Sequence, residues 1–158
     1  MLELRNISKT FNPGTINEVR SLREISLSIE DGSFVTVIGT NGSGKSTLLN
    51  AVAGGFFVDA GSIHLGGCDV TSWPEHRRAA FIGRVFQNPF SGTAPSMSIA
   101  ENLALAARRG HSRGFGSALG AGWMRELHDR VRVLNMGLES RLENAIGMLS
   151  GGERQALT

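Results

Sequence analysis

Apolar and polar residues alternate in two stretches near the start of the chain. Leu2 and Leu4 flank a polar position, and the run Ile25-Ser26-Leu27-Ser28-Ile29 does the same over five residues. A period of two marks a half-buried antiparallel strand, with one face inward and one in water. Asn12-Pro13-Gly14 lies between the two stretches and reads as a turn. The pattern changes between Gly32 and Gly39. Phe34, Val35, Thr36, Val37 and Ile38 form an unbroken, largely β-branched run, which predicts a buried parallel strand. Ser46 to Ala53 then predicts a helix, stopped by Gly54-Gly55. Ser62 to Leu65 followed by Gly66-Gly67 predicts a strand and a tight turn. Trp73 to Ala80 predicts a short helix that tolerates Pro74 in its first turn. Phe81 to Phe86 predicts a second core strand, ending at Gln87.

Beyond Gln87 the pattern becomes helical. Residues 88–97 are rich in Pro, Gly and Ser and read as a loop. Ser98-Ile99-Ala100-Glu101 is a capping box, predicting a helix through Arg109 that Gly110 ends. Residues 109–122 are Gly/Ser-rich and predict a mobile connection. Met124, Leu127, Val131, Leu134 and Leu138 then recur along one helical face, as core-packing residues do.

Composition narrows the class. A chain of 158 residues with 41% hydrophobic content is one domain's worth of globular protein. No apolar stretch approaches the ~20 residues that span a bilayer, and the N-terminus shows no signal-peptide pattern. The net charge of +2 is too small to argue for nucleic acid. The pairs Arg77-Arg78 and Arg108-Arg109 read as solvated helix ends. His64, His76, His111 and His128 read as surface or turn residues. Cys68, the only cysteine, excludes an internal disulfide and fits a reducing compartment.

The chemistry is carried by Gly39-Thr40-Asn41-Gly42-Ser43-Gly44-Lys45-Ser46-Thr47. Here Gly39, Gly44, Lys45 and Ser46 match Gly-x-x-x-x-Gly-Lys-Ser, the phosphate loop. Glycines let backbone N–H groups close around phosphates, a lysine neutralises the β/γ-phosphates, and the serine hydroxyl reaches Mg²⁺. Placed between a strand and a helix, the loop meets the helix N-terminus, where free N–H groups and the helix dipole favour anions.

Leu149-Ser150-Gly151-Gly152-Glu153-Arg154-Gln155 resembles the signature motif of ATP-binding cassette (ABC) ATPases. Val85 to Pro89 resembles that family's Q-loop, and Phe11 stands where the family keeps an aromatic. The resemblance spans the whole chain. It implies an α/β P-loop NTPase core with an antiparallel β subdomain and a helical, signature-bearing subdomain. Residues 1–87 would hold the core and β subdomain, 88–149 the helical subdomain, and 149–158 the signature and the start of its helix.

The same resemblance implies roles. Phe11 would stack on adenine, with no hydroxyl because the chain has no Tyr. Asn41, Gly42, Ser43, Gly44 and Lys45 would hold the β-phosphate, and Thr47 would lie beside the α-phosphate. Ser46 and Gln87 would ligate Mg²⁺, and Gln87 and the loop behind it would report occupancy to a membrane partner. Ser150, Gly151 and Gly152 would close on the γ-phosphate held by a second cassette, so that a homodimer sandwiches two ATP molecules. The implied protein is the cytoplasmic, membrane-peripheral ATPase subunit of a transporter, of the bacterial importer kind. Its partners would be transmembrane permease subunits and a substrate-binding protein, with no nucleic acid.

Some of the family's apparatus is not found. The Walker B carboxylates and switch histidine would follow the signature, and all four histidines precede it. The C-terminal part of the core is expected to be missing, which would leave a hydrophobic sheet edge bare. These 158 residues alone are therefore expected to hydrolyse ATP weakly or not at all. The competing readings are a nucleotide-binding remnant without catalysis and a non-transport ABC ATPase. Against the second, only 62 positions separate Gln87 from Leu149, too few for the long coiled coil of the DNA-repair members.

Overall fold

A computed structural model describes residues 1–88, 90–110 and 119–158. Pro89 of the Q-loop pattern, His111 and residues 111–118 of the expected mobile connection lie outside the described residues. The chain forms two compact units, Met1–Ile82 and Gly83–Thr158.

The first unit is built on the predicted alternation. Strands β1 (Leu2–Phe11) and β2 (Val19–Ile29) pair antiparallel, with Leu2 opposite Ile29 and Leu4 opposite Leu27. β3 (Ala60–Leu65) lies on the other side of β1, and β4 (Cys68–Asp69) pairs with β3 across the Gly66-Gly67 turn. The strand order is β2-β1-β3-β4, wholly antiparallel. Helix α1 (Lys45–Ala53) contributes Ala51 to a core of Leu4, Ile7, Leu22, Ile63, Leu65 and Val70. Each large side chain buried there stabilises the unit by about 1.5–3 kcal/mol.

Arg78 corrects the expectation of a solvated helix end. It lies on the short helix α2 (Glu75–Arg78) and is fully buried. Its guanidinium donates to the carbonyls of Ala51 (2.7 Å), Val52 (3.0 Å), Thr71 (3.0 Å) and Trp73 (2.9 Å). Two of those carbonyls belong to the last turn of α1, where the dipole favours a cation; that of Ala51 also accepts the Gly54 N–H at 3.3 Å. Burial pulls its pKa below the ordinary guanidinium value, opposed by the charge of Asp69. His64 also departs from the surface reading, since it sits half-buried within β3.

Neither expected core strand forms. Residues 33–40 adopt no regular structure, and Phe34 (95%) and Ile38 (89%) are almost fully exposed. Residues 82–86 are likewise irregular, with Val85 exposed. A buried strand draws its stability from partners on both edges and cover on both faces. Among the described residues no strand pairs with either segment, so β-branched composition alone does not make one.

The second unit is helical. Helix α3 (Ile99–Ala107) starts at the predicted capping box: Ser98 Oγ accepts the Glu101 N–H at 3.1 Å, and Glu101 Oε2 accepts the Ser98 N–H at 2.7 Å. It ends two residues earlier than expected. Helix α4 (Ala121–Arg132) presents Leu127 and Val131 to a core with Ile99, Ala100, Leu138, Leu142, Ile146 and Leu149. Leu134 falls past the helix end and is partly exposed. Two 3-10 turns, Leu138–Arg141 and Ile146–Met148, lead to helix α5 (Gly151–Ala156). Among the described residues no helix is long and apolar enough to cross a membrane.

Candidate phosphate-binding site

The start of α1 is left open. Its N-cap is Gly44, in the left-handed conformation at φ +93°, and no side chain caps the helix. A Cβ on Gly44 would lie 2.7 Å from the Ser21 carbonyl oxygen, so glycine is required both by backbone angle and by the close approach of β2. The first intrahelical bond runs from the Leu48 N–H to the Gly44 carbonyl at 2.8 Å. The N–H groups of Lys45, Ser46 and Thr47 therefore point out of the helix, and no acidic residue occupies that first turn.

Lys45 arches back over the loop. Its Nζ donates to the carbonyls of Gly39 (2.8 Å) and Thr40 (2.7 Å), with Ser43 Oγ at 3.5 Å. An ammonium thus sits on the loop that precedes the uncapped, positive end of the α1 dipole, while the Ser43 N–H donates to the Thr40 carbonyl at 3.3 Å. An uncapped helix start of this kind is suited to an anion. Ser46 is exposed beside it. The Thr47 hydroxyl lies 3.2 Å from that of Ser21, which ties the helix start to β2. Ser21 escaped the sequence reading because a serine in a strand carries no mark of what its carbonyl will touch.

β2 also relates Phe11 to the loop. Phe11 pairs with Val19, two residues before Ser21 on the same strand. That places the aromatic ring one strand over and about 7 Å along from the backbone that supports Gly44. Val19 is 53% exposed, an apolar side chain beside the ring that the sequence did not single out.

The remaining candidates belong to the second unit. Gln87 is exposed. Ser150 is the N-cap of α5, and its Oγ accepts the Glu153 N–H at 3.3 Å while Glu153 Oε2 accepts the Ser150 N–H at 2.8 Å. Arg141 Nη1 donates to the other Glu153 oxygen at 3.0 Å. The Ser150 N–H above all, then the Ser150 hydroxyl and the Arg141 charge, hold the Glu153 carboxyl below its ordinary range. This role was within reach, because Ser150-x-x-Glu153 repeats the pattern of Ser98-x-x-Glu101. Arg154 gave no such signal. It is buried at 1% exposure, donates from Nη2 to the Ile146 carbonyl at 2.9 Å, and stacks 4.1 Å from the Phe90 ring centroid.

Comparison with known proteins shows the family. The family described as ABC transporter matches residues 22–158. The chain is 38% identical over 159 residues to a tyrosine transport ATP-binding protein of Clostridioides difficile, covering 100% of this chain and 62% of that protein. It is 34% identical over 161 residues to a lipoprotein-releasing system ATP-binding protein of Caulobacter vibrioides, covering 98% of this chain and 64% of that one. Among solved structures, a dimeric ATP-binding cassette in a post-hydrolysis state, bound to ADP and Pi, superposes with a TM-score of 0.79 at 25% identity. That match covers 99% of this chain and 66% of the other. The chain therefore spans less than two thirds of the length of these two relatives.

Proposed function

The chain belongs to the ABC transporter family, and from that premise we propose that it forms the MgATP-binding, energy-coupling part of a membrane transporter of the importer kind. The observation that carries this reading is the open, cation-guarded start of α1. Phosphoryl transfer needs positioning and charge neutralisation more than covalent catalysis. The backbone N–H groups of Asn41 to Lys45 take the β-phosphate, Lys45 Nζ leaves its loop carbonyls for phosphate oxygens, and Thr47 lies toward the α-phosphate. The exposed Ser46 hydroxyl fits a magnesium ion, which when bound supplies charge neutralisation at the phosphate oxygens. Phe11 offers a face to the base. No carboxylate of these residues is assigned as general base, so they supply binding, and turnover draws on a carboxylate outside these assignments.

The signature is assigned to a second copy's nucleotide. Gly151 and Gly152 have open space where a Cβ would stand, and neither has a positive φ. The fold of this chain does not ask for glycine there, whereas close approach of another molecule's phosphates does. The homodimer that follows accords with the dimeric state in the solved cassette's description. Gln87 and residues 88–97 are assigned to a permease on the cytoplasmic face of the membrane, with a substrate-binding protein completing an importer. The names of the two relatives point to different cargoes, so the cargo is left unassigned.

Titration with MgATP tests the assignment directly. Lys45→Ala should weaken binding by about 100-fold or more, as expected when the main cation of a phosphate site is removed. Unchanged affinity would sink the reading.

A further inference from the structure

Phe11 does not stand alone at the end of β1. Phe56, just past the end of α1, meets its ring edge-on, with centroids 5.2 Å apart and planes at 80°. Lys9 Nζ lies 5.7 Å from the Phe11 centroid and 5.6 Å from that of Phe56. The ammonium is held in place, because it donates to Asp59 Oδ1 at 2.6 Å while Asp59 Oδ2 accepts the Thr10 N–H at 2.7 Å. The Lys9 hydrogen bond, then that of Thr10, keep the Asp59 carboxyl below its ordinary range. One carboxylate thus clamps the cation and the backbone of β1 together, directly before Phe11.

We propose that Phe56 is a positioning residue that sets the plane in which Phe11 presents its face to a nucleobase, with Lys9 and Asp59 locking the pair. The proposal rests on the reading of Phe11 as the base-stacking ring. A phenyl ring on a strand end has a broad χ2 preference and reorients quickly when partly exposed. Stacking on a base demands one plane, and is worth about 1–3 kcal/mol when that plane is available. An edge-to-face neighbour and a cation lying near both rings remove the competing orientations during folding, so binding does not have to. Phe56 also packs against the strand core, so its replacement must keep bulk.

The experiment titrates the protein with MgATP and, separately, with magnesium and inorganic triphosphate, which has the phosphate chain and no base. Phe11→Ala should lower ATP affinity about 10-fold and leave triphosphate affinity unchanged. Phe56→Leu should lower ATP affinity by about 3–10-fold with triphosphate again unchanged, and Phe56→Tyr should restore it. Lys9→Gln, which removes the ion pair with Asp59 while leaving its bond to the Thr10 N–H, should shift the same ratio by about 2–3-fold. Wild-type ATP affinity in both Phe56→Leu and Lys9→Gln, or an equal loss for both ligands, would make Phe56 a packing residue only and overturn the proposal. A wild-type ratio in Phe11→Ala would instead remove the base-stacking reading, and the proposal with it.

Discussion

The helix that begins at Lys45 and the helix that begins at Gly151 both start in glycine-rich sequence, yet their first turns are built oppositely. α1 has a left-handed glycine as N-cap, no capping side chain and no acid in its first turn. α5 has a serine N-cap, a reciprocal capping box and the Glu153 carboxylate one turn in. At α1, three N–H groups are left for a ligand and the dipole is unopposed. At α5, the Ser150 and Glu153 N–H groups are already bonded and a negative charge sits beside the positive helix end. The first start leaves backbone N–H groups uncapped, as the proposed anion site needs. The second is capped by its own side chains and leaves the Gly151 and Gly152 N–H groups, the ones proposed to face a second copy's nucleotide.

Substitutions at the two starts should sharpen this contrast, with the largest effect at Gly44. Gly44→Ala forces a left-handed alanine and drives a Cβ into the Ser21 carbonyl, so the first unit should lose about 2 kcal/mol or more in urea unfolding, together with phosphate binding. A loss under about 0.5 kcal/mol would show that the loop relaxes freely and that Ser21 does not constrain it. Ser150→Ala, which opens the cap of α5, should destabilise the second unit by about 1 kcal/mol in the same measurement. Gly152→Ala should have the opposite sign, raising stability by about 0.5 kcal/mol while abolishing ATP-driven pairing of two chains. Destabilisation there would mean that the glycine serves this chain's own fold.

The smallest effect concerns pH. Because the Glu153 carboxyl is held below its ordinary range, its stabilising contribution is complete above the unfolded value, about 4.3, and is lost as pH falls through the lower folded value. Glu153→Gln should therefore be slightly less stable than wild type at pH 7, with the gap closing in acid. A gap that widens in acid would contradict the capping geometry.

Much of this molecule was legible beforehand, and the reasons differ by element. The β1–β2 pairing followed from period-two alternation, and α3 from a capping box, because in both the deciding interactions lie within a few residues or repeat along the strand. The glycine-rich turn into α1 was legible for the same reason. Its glycines, its lysine and its uncapped helix start all come from nine consecutive positions. Phe34 to Ile38 shows the limit. Its composition asks for a strand, but a strand exists only where neighbours supply hydrogen bonds and cover, and among the described residues none do.

The sequence by itself thus determined the family, the two glycine-rich helix starts and the strands and helices with local periodicity. Only the tertiary structure decided that Arg78 closes the far end of α1 from a position 25 or more residues away, that Ser21 demands glycine at position 44, and that Phe56, Lys9 and Asp59 gather around Phe11. Each of these depends on a contact between segments distant along the chain, where one group's partner is chosen by packing and by the need to satisfy buried polar atoms rather than by any pattern that neighbouring residues display.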